Sequence, residues 1–172
     1  MYCRLILIPA LALLLAACSP ALNWREVPLA HGELKALLPC KPDRASRKQN
    51  LATHDLDIAM AGCEAGGALY AVSVAELPAP DRALAVQVQW QANLLENMRA
   101  SGASNAAYAI KGASSTFEPV RLIAAGTGPD GRVVQAQGVW FARGTRLYHA
   151  VIYAERIGAD MSEPFFGGLE LQ

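Results

Sequence analysis

The sequence predicts an α+β domain with an antiparallel β-sheet, one main helix at about residues 81–101 and a short C-terminal helix. Short runs of alternating apolar residues dominate the chain, and glycine-containing turns join several of them as hairpins. The regular βαβ alternation that is typical of a parallel sheet is missing. A single long segment without internal Gly or Pro accounts for the main helix.

The first strands flank a proline corner. Residues 24–29 are largely apolar but contain Pro28, which confines a strand to a sheet edge because proline has no N–H to donate. Residues 33–38 predict a second strand that ends at the corner 39–42. Residues 43–50 are polar and basic, and they predict a solvated edge strand or a loop.

Two hairpins are predicted from alternating runs on either side of a turn. Their strands are expected at residues 51–61, 69–77, 133–141 and 146–155. Weaker strand patterns lie at residues 107–111 and 120–125. Asp160 or Ser162 is expected to cap the C-terminal helix, which runs toward Gly167.

The main helix is predicted between two terminators. Asp81 is a favourable N-cap and Gly102 a favourable C-terminal residue. Residues 86–91 also alternate in the manner of a strand, but the length of the segment favours a helix. The residues that lie near one helical face are Leu84, Val88, Leu95 and Met98.

An export signal occupies the N-terminus. Arg4 precedes an apolar run at residues 5–15, and the tetrapeptide Leu15-Ala16-Ala17-Cys18 ends it. This stretch resembles a bacterial lipoprotein signal with its lipobox. The resemblance implies removal of residues 1–17 and acylation of Cys18. Residues 18–23 are then a tether, and residues 24–172 form a single domain.

A lipid anchor has two alternatives. A transmembrane helix needs ~20 apolar residues, and this run is shorter and contains Pro9. An ordinary signal peptide cut near Ala17 leaves Cys18 without a role. Two or more acyl chains give stable membrane anchoring. Ser19 replaces the aspartate that usually retains such proteins at the inner membrane, so the resemblance implies the periplasmic face of the outer membrane.

Charge and cysteine content narrow the class of protein further. Without Arg4, 14 of the 15 basic residues remain against 15 acidic ones, a net charge of −1, and no basic stripe indicates a nucleic-acid partner.

Cys40 and Cys63 are the cysteines left once the signal and Cys18 are set aside. In an oxidising compartment they predict a structural disulfide. A metal or redox site is the alternative, but neither cysteine has a close second ligand.

A family resemblance follows from the order of several motifs. Trp24 precedes the corner Leu38-Pro39-x-x-Pro42, Tyr70 lies in a strand, and Arg146-Leu147-Tyr148 enters a later strand. Pro164-Phe165-Phe166 comes near the end. This order resembles the PsbP-like α/β/α sandwich of small secreted or lipid-anchored proteins. The resemblance implies a non-enzymatic binding or assembly role. Together with the export signal, it predicts an envelope protein as the partner.

Few residues are candidates for catalysis or metal binding. We assign no catalytic residue, metal ligand or cofactor from the sequence. His54 with Asp55 and Asp57 is the one compact cluster of histidine and carboxylates, and a polar strand face is its simpler interpretation. His149 lies in an apolar strand, where a structural histidine is expected. The main alternative function is a periplasmic hydrolase that uses His54 or His149, and a purely structural envelope protein is a third.

Overall fold

Ten strands and two helices make up the described part of the chain, which in this computed structural model is residues 22–172. The strands are β1 Arg25–Leu29, β2 Leu34–Leu38, β3 Asp43–Leu51, β4 His54–Ala65, β5 Ala68–Glu76, β6 Gly102–Ala107, β7 Val120–Thr127, β8 Val133–Arg143, β9 Arg146–Ala154 and β10 Glu170–Leu171. The helices are α1 Ala83–Asn97 and α2 Ala159–Gly167. The α+β class is therefore confirmed. The predicted signal peptide at 1–17 and the acylation site Cys18 lie outside the described residues.

The strands form two antiparallel sheets. The larger has seven strands in the order β3-β4-β5-β9-β8-β7-β6, and the smaller has three in the order β1-β2-β10. Both predicted hairpins are present, as β4–β5 and β8–β9. Gly66 and Gly67 turn the first at φ 58° and 75°, in the left-handed region that glycine adopts without strain. No helix within residues 22–172 is long and apolar enough to cross a membrane.

Both faces of the seven-stranded sheet carry buried apolar side chains. On one face α1 packs against Ile58, Trp140 and Val151, and we call this the helix face. On the other face the three-stranded sheet and α2 pack against Tyr70 and Ile152, and we call this the outer face. Successive side chains of a strand point to opposite faces, so the central strands are apolar on both.

The outer face is tied to the small sheet by the disulfide between Cys40 and Cys63. Their Cα atoms are 6.0 Å apart. Cys40 follows β2 of the small sheet, whereas Cys63 lies within β4 of the large one. The bond therefore links two layers of the fold.

The ends of α1 differ from the prediction of residues 81–101. A 3-10 turn at Pro80–Arg82 precedes the helix, and Asp81 makes no capping hydrogen bond. The helix ends at Asn97, and Arg99 turns the chain at φ 44°. Gly102 was predicted as the terminator but begins β6. Contacts in the first and last turns, which sequence patterns do not reveal, decided these bounds.

The core-facing side of α1 also differs. Its buried residues include Val86, Trp90 and Leu94, whereas Leu84 and Val88 are 64% and 55% exposed. The helix carries more apolar residues than one face can bury, so the predicted stripe is only partly correct: Met98 is buried and Leu95 packs half-buried against the core. The strand-like alternation of apolar and polar residues at 86–91 arises because apolar residues lie on more than one side of this helix.

Most of the remaining elements lie close to their predicted positions. Pro28 lies in the edge strand β1, and β3 is an exposed edge strand rather than a loop. The strand predicted at 107–111 is wrong, because β6 spans Gly102–Ala107 and residues 108–110 lie outside any strand. Gly158 occupies the N-cap of α2, where neither predicted side chain caps the helix.

Candidate binding groove

An uncovered stretch of the outer face forms a groove beside the small sheet. The small sheet covers Ala61, Cys63 and Val72, which are buried. Further along the same face, Asp57 and Ala59 of β4 are exposed. Strand alternation places their side chains on the face of Ala61 and Cys63, so the small sheet ends before it reaches them.

The groove has a charged mouth and an apolar inner end. The mouth encloses about 720 Å³ and is lined by the side chains of Arg44, Asp57, Glu76 and Arg146 together with the turn at Ala30–Gly32. An adjoining inner cavity of about 130 Å³ is lined mainly by apolar side chains. Leu29, Leu34, Val72, Val74 and Tyr148 are among them. Ligand sites commonly combine an apolar wall with a few polar groups in this way.

Arg146 joins the two sheets at the mouth. It lies opposite Glu76 in the β5–β9 register, and its Nε is 2.9 Å from Glu76 Oε2. Its Nη1 forms a second ion pair with Glu33, which immediately precedes β2 of the small sheet. Thr145 donates from Oγ1 to Glu76 Oε1 at 2.6 Å, and Tyr148 donates from its hydroxyl to Glu33 at 3.4 Å. One guanidinium therefore holds carboxylates from both layers.

These contacts shift the pKa of each group. The hydrogen bond from Arg146 lowers the pKa of Glu33, and the hydrogen bond from Thr145, followed by that from Arg146, lowers the pKa of Glu76. Both carboxylates raise the pKa of Arg146. Burial, and then the charge of Glu33, raises the pKa of Tyr148. At neutral pH, Glu33 and Glu76 are consequently negatively charged and Arg146 is positively charged.

The other side of the mouth is less constrained. Arg44 donates to the carbonyl of Pro28 at 3.2 Å and remains exposed. Ala30 and His31 adopt φ 47° and 58°, left-handed values that are uncommon for residues with a side chain. Such strain is held by surrounding structure and is frequent at ligand sites.

His149 lies on the helix face, enclosed by two tryptophans. Its ring stacks on Trp140 with centroids 4.1 Å apart and meets the edge of Trp90 at 5.2 Å. A Cβ at Gly138 would lie 2.9 Å from His149 Nε2, so the glycine makes room for the ring. Nε2 has no hydrogen-bond partner among the described residues, and burial lowers the pKa of His149 to about 3. The imidazole is neutral and enclosed, as a structural histidine.

The cluster of His54 with Asp55 and Asp57 does not come together on one face of the strand. His54 shares the helix face with Leu56, whereas Asp55 and Asp57 point to the outer face. Asp55 instead accepts a hydrogen bond from Asn50 Nδ2 at 2.7 Å. Within residues 22–172, no three His, Cys, Asp or Glu side chains are grouped so that they could hold a metal ion.

Sequence reasoning missed Glu33 and Glu76 as parts of a site. It named Arg146 and Tyr148 only as a motif of the family resemblance. The available signal was that Arg146 and Tyr148 are two residues apart in a strand. This spacing places both side chains on one face of β9 beside the end of β5. The pairing with Glu33 comes from a separate sheet, and no local pattern reveals it.

Comparison with known proteins gives no family for this chain. No family model and no curated protein matches it. One similar solved structure is a Pseudomonas aeruginosa protein of unknown function, with 13% sequence identity and a TM-score of 0.39. The alignment covers 82% of this chain and 89% of that one. A likeness at this level assigns neither a family nor a function.

Proposed function

We propose that this chain is an envelope lipoprotein, anchored by acylated Cys18 at the periplasmic face of the outer membrane. We propose further that its domain is a non-enzymatic binding or assembly module. The lipobox at residues 15–18 and the PsbP-like order of motifs support this proposal. The observation that carries the binding role is the groove, where an apolar cavity opens into a mouth of fixed charges.

The shape of the groove indicates what a partner presents. An apolar side chain fits the inner cavity beside Leu34 and Val74. Arg44 and Asp57 offer opposite charges at the mouth to polar or charged groups of the same partner. An extended segment of an envelope protein meets both requirements, since alternate side chains of a strand differ in polarity.

A hydrolase that uses His54 or His149 is the less favoured function. General acid–base catalysis requires the imidazole to reach the substrate directly or through one water. His149 is only 4% exposed and is neutral across the physiological range. His54 lies on the opposite face from its two neighbouring carboxylates, which leaves it without an orienting partner in that cluster.

The groove is tested by photocrosslinking in cells. A photoreactive amino acid replaces Ala59 in the groove, and the matched control replaces Ala125, an exposed alanine on the same face of β7. We expect a discrete adduct from position 59 alone. Adding the substitution Arg44→Glu should abolish it by reversing the charge at the mouth. An adduct unchanged by that reversal, or equal adducts from both positions, contradicts the proposed groove.

The anchor is tested with Cys18→Ser in the full chain. We expect loss of lipid labelling and of membrane association after a high-salt wash, because acyl chains hold the protein at the bilayer. Separation of the membranes by density then assigns the parent protein to the outer or the inner one. Retention of the serine variant in the membrane fraction argues against lipid anchoring.

A further inference from the structure

The seven-stranded sheet ends in two different edge strands. At one edge β3 exposes Arg44, Arg47 and Lys48. At the other, β6 has the sequence Gly-Ala-Ser-Asn-Ala-Ala, all six residues are exposed, and none is charged. Within residues 22–172, β6 pairs with β7 alone. Edge strands of monomers are usually protected by charges, prolines, bulges or a covering element, because an open edge pairs with other strands.

An apolar stripe on α1 lies beside this unprotected edge. Val88, Ala92 and Leu95 follow helical spacing along one side of the helix, and the first two are exposed while Leu95 is half-buried. The three residues border an open cavity of about 260 Å³ that they share with residues 103–105 of β6. The stripe thus faces the free side of the strand. We call β6 and these three residues of α1 the β6–α1 surface.

We propose that the β6–α1 surface is the interface of a homodimer in which the β6 strands of two copies pair antiparallel. Two identical antiparallel strands are related by a two-fold axis perpendicular to their sheet, which makes the interface self-complementary. This axis keeps each face of the sheet on the same side. The two α1 helices therefore lie on one face of a continuous sheet, with their apolar stripes directed toward each other.

Charge favours a second copy as the occupant. The strand β6 carries no charged residue, and Glu96 is the one charged residue of α1. The paired β6 strands therefore meet without like charges opposed across the axis. Pairing at β3 would instead bring Arg44, Arg47 and Lys48 against the same residues of another copy, which is unfavourable. A surface without charge also lacks the pattern that selects a different, charged partner.

The area needed for a stable interface explains why both elements take part. A typical interface buries ~800 Å² on each partner, more than the edge of a six-residue strand provides. The α1 stripe adds apolar area, and the cavity between Val88 and Ser104 receives side chains of the second copy. Val88, which is 55% exposed in a single copy, is then covered.

Symmetry also gives a test that uses one cysteine. Paired residues of antiparallel strands share a face, so the axis passes beside Ser104 or Asn105 at the centre of β6. In both registers Ser104 of one copy lies near Ser104 of the other copy. The substitution Ser104→Cys should therefore allow a short bis-maleimide to join two chains. Ser46→Cys is the matched control, because Ser46 is an exposed serine near the centre of β3.

The experiment uses the full chain in envelope membranes. We expect a product of twice the chain mass from Ser104→Cys and none from Ser46→Cys or the parent protein. Adding Val88→Lys should lower the yield about tenfold, because the charge lies within the proposed interface. Val133→Lys should leave the yield unchanged. Val133 is 64% exposed but lies on β8, away from the β6–α1 surface.

Each other result overturns the proposal. The proposed interface is contradicted by any of three results. These are equal crosslinking from Ser46→Cys, no product from Ser104→Cys, and a yield that Val88→Lys does not change. A product of any other mass assigns the edge to a different protein. Light scattering of the detergent-solubilised parent and of Val88→Lys gives an independent measurement. We expect a dimer and a monomer respectively, and a monomeric parent contradicts the proposal.

Discussion

The two faces of the seven-stranded sheet are covered in different ways. On the helix face, α1 closes over apolar side chains that include Trp140, and even His149 is enclosed there. On the outer face the small sheet covers one end only, and the disulfide and the ion pairs of Arg146 reinforce its attachment. The helix face is stabilised mainly by apolar burial, whereas the outer face adds covalent and ionic links.

This difference explains where a site can lie. Between α1 and the central strands of the helix face, close packing leaves little space for a ligand, because a filled core has few voids larger than a water molecule. Incomplete cover on the outer face leaves the groove open between Arg44 and Arg146. Its charged residues both bind the small sheet and shape the mouth, so stability and binding are coupled on this face.

The largest effect is expected on the helix face, from Trp140→Ala. Trp140 is fully buried against His149, and removal of its indole should lower the free energy of unfolding by about 3–5 kcal/mol. Urea denaturation measures the change. The control is Trp24→Ala on the outer face, where the indole is half-buried and the cost should be smaller. Equal costs would show that the two faces contribute alike.

The next effect concerns the disulfide. Replacing both Cys40 and Cys63 with alanine should lower the free energy of unfolding by about 2–5 kcal/mol, because the unfolded chain gains conformational freedom. Reduction of the parent protein should give the same loss, and a reducing agent should leave the double variant unaffected. Recovery of both cysteines as free thiols in peptide mapping of the exported protein contradicts the bond.

The third effect is a pH dependence that comes from the helix face. Burial lowers the pKa of His149 from 6.5 to about 3, so the unfolded state binds the proton first as the pH falls. Stability from this residue is therefore full above pH 6.5 and is lost progressively toward pH 3. Between about pH 7 and about pH 5 the loss is about 2 kcal/mol. His149→Phe should remove this part of the slope, and an unchanged slope would refute its assignment to His149.

The smallest effect is expected from Glu33→Gln on the outer face. The pKa of Glu33 is lowered, so its stabilising contribution is present above the ordinary carboxyl range and is lost as the pH falls through the lowered value. Exposed ion pairs contribute little and are screened by salt. We expect a small decrease in the urea midpoint at low salt that disappears at about 1 M salt. Glu64→Gln, an exposed site on β4, should show no decrease.

Local patterns in the sequence predicted much of this structure. Alternation and glycine turns identified both hairpins, and Pro28 marked an edge strand, because these features depend on neighbours along the chain. The α+β class and the pairing of Cys40 with Cys63 were also predicted correctly. The lipobox at Cys18 and the PsbP-like resemblance stay predictions, and neither rests on tertiary contacts.

Tertiary structure decided what the sequence left open. Which side of α1 is buried depends on the shape of the sheet below it, so Leu84 and Val88 project outward although their spacing suits a core. Glu33 and Arg146 are distant in sequence and meet because the small sheet folds back over the large one. Local sequence patterns predicted most of the elements, because the period of a helix or strand is set by backbone geometry. Only packing between layers created the groove, because its lining comes from strands that no local pattern brings together.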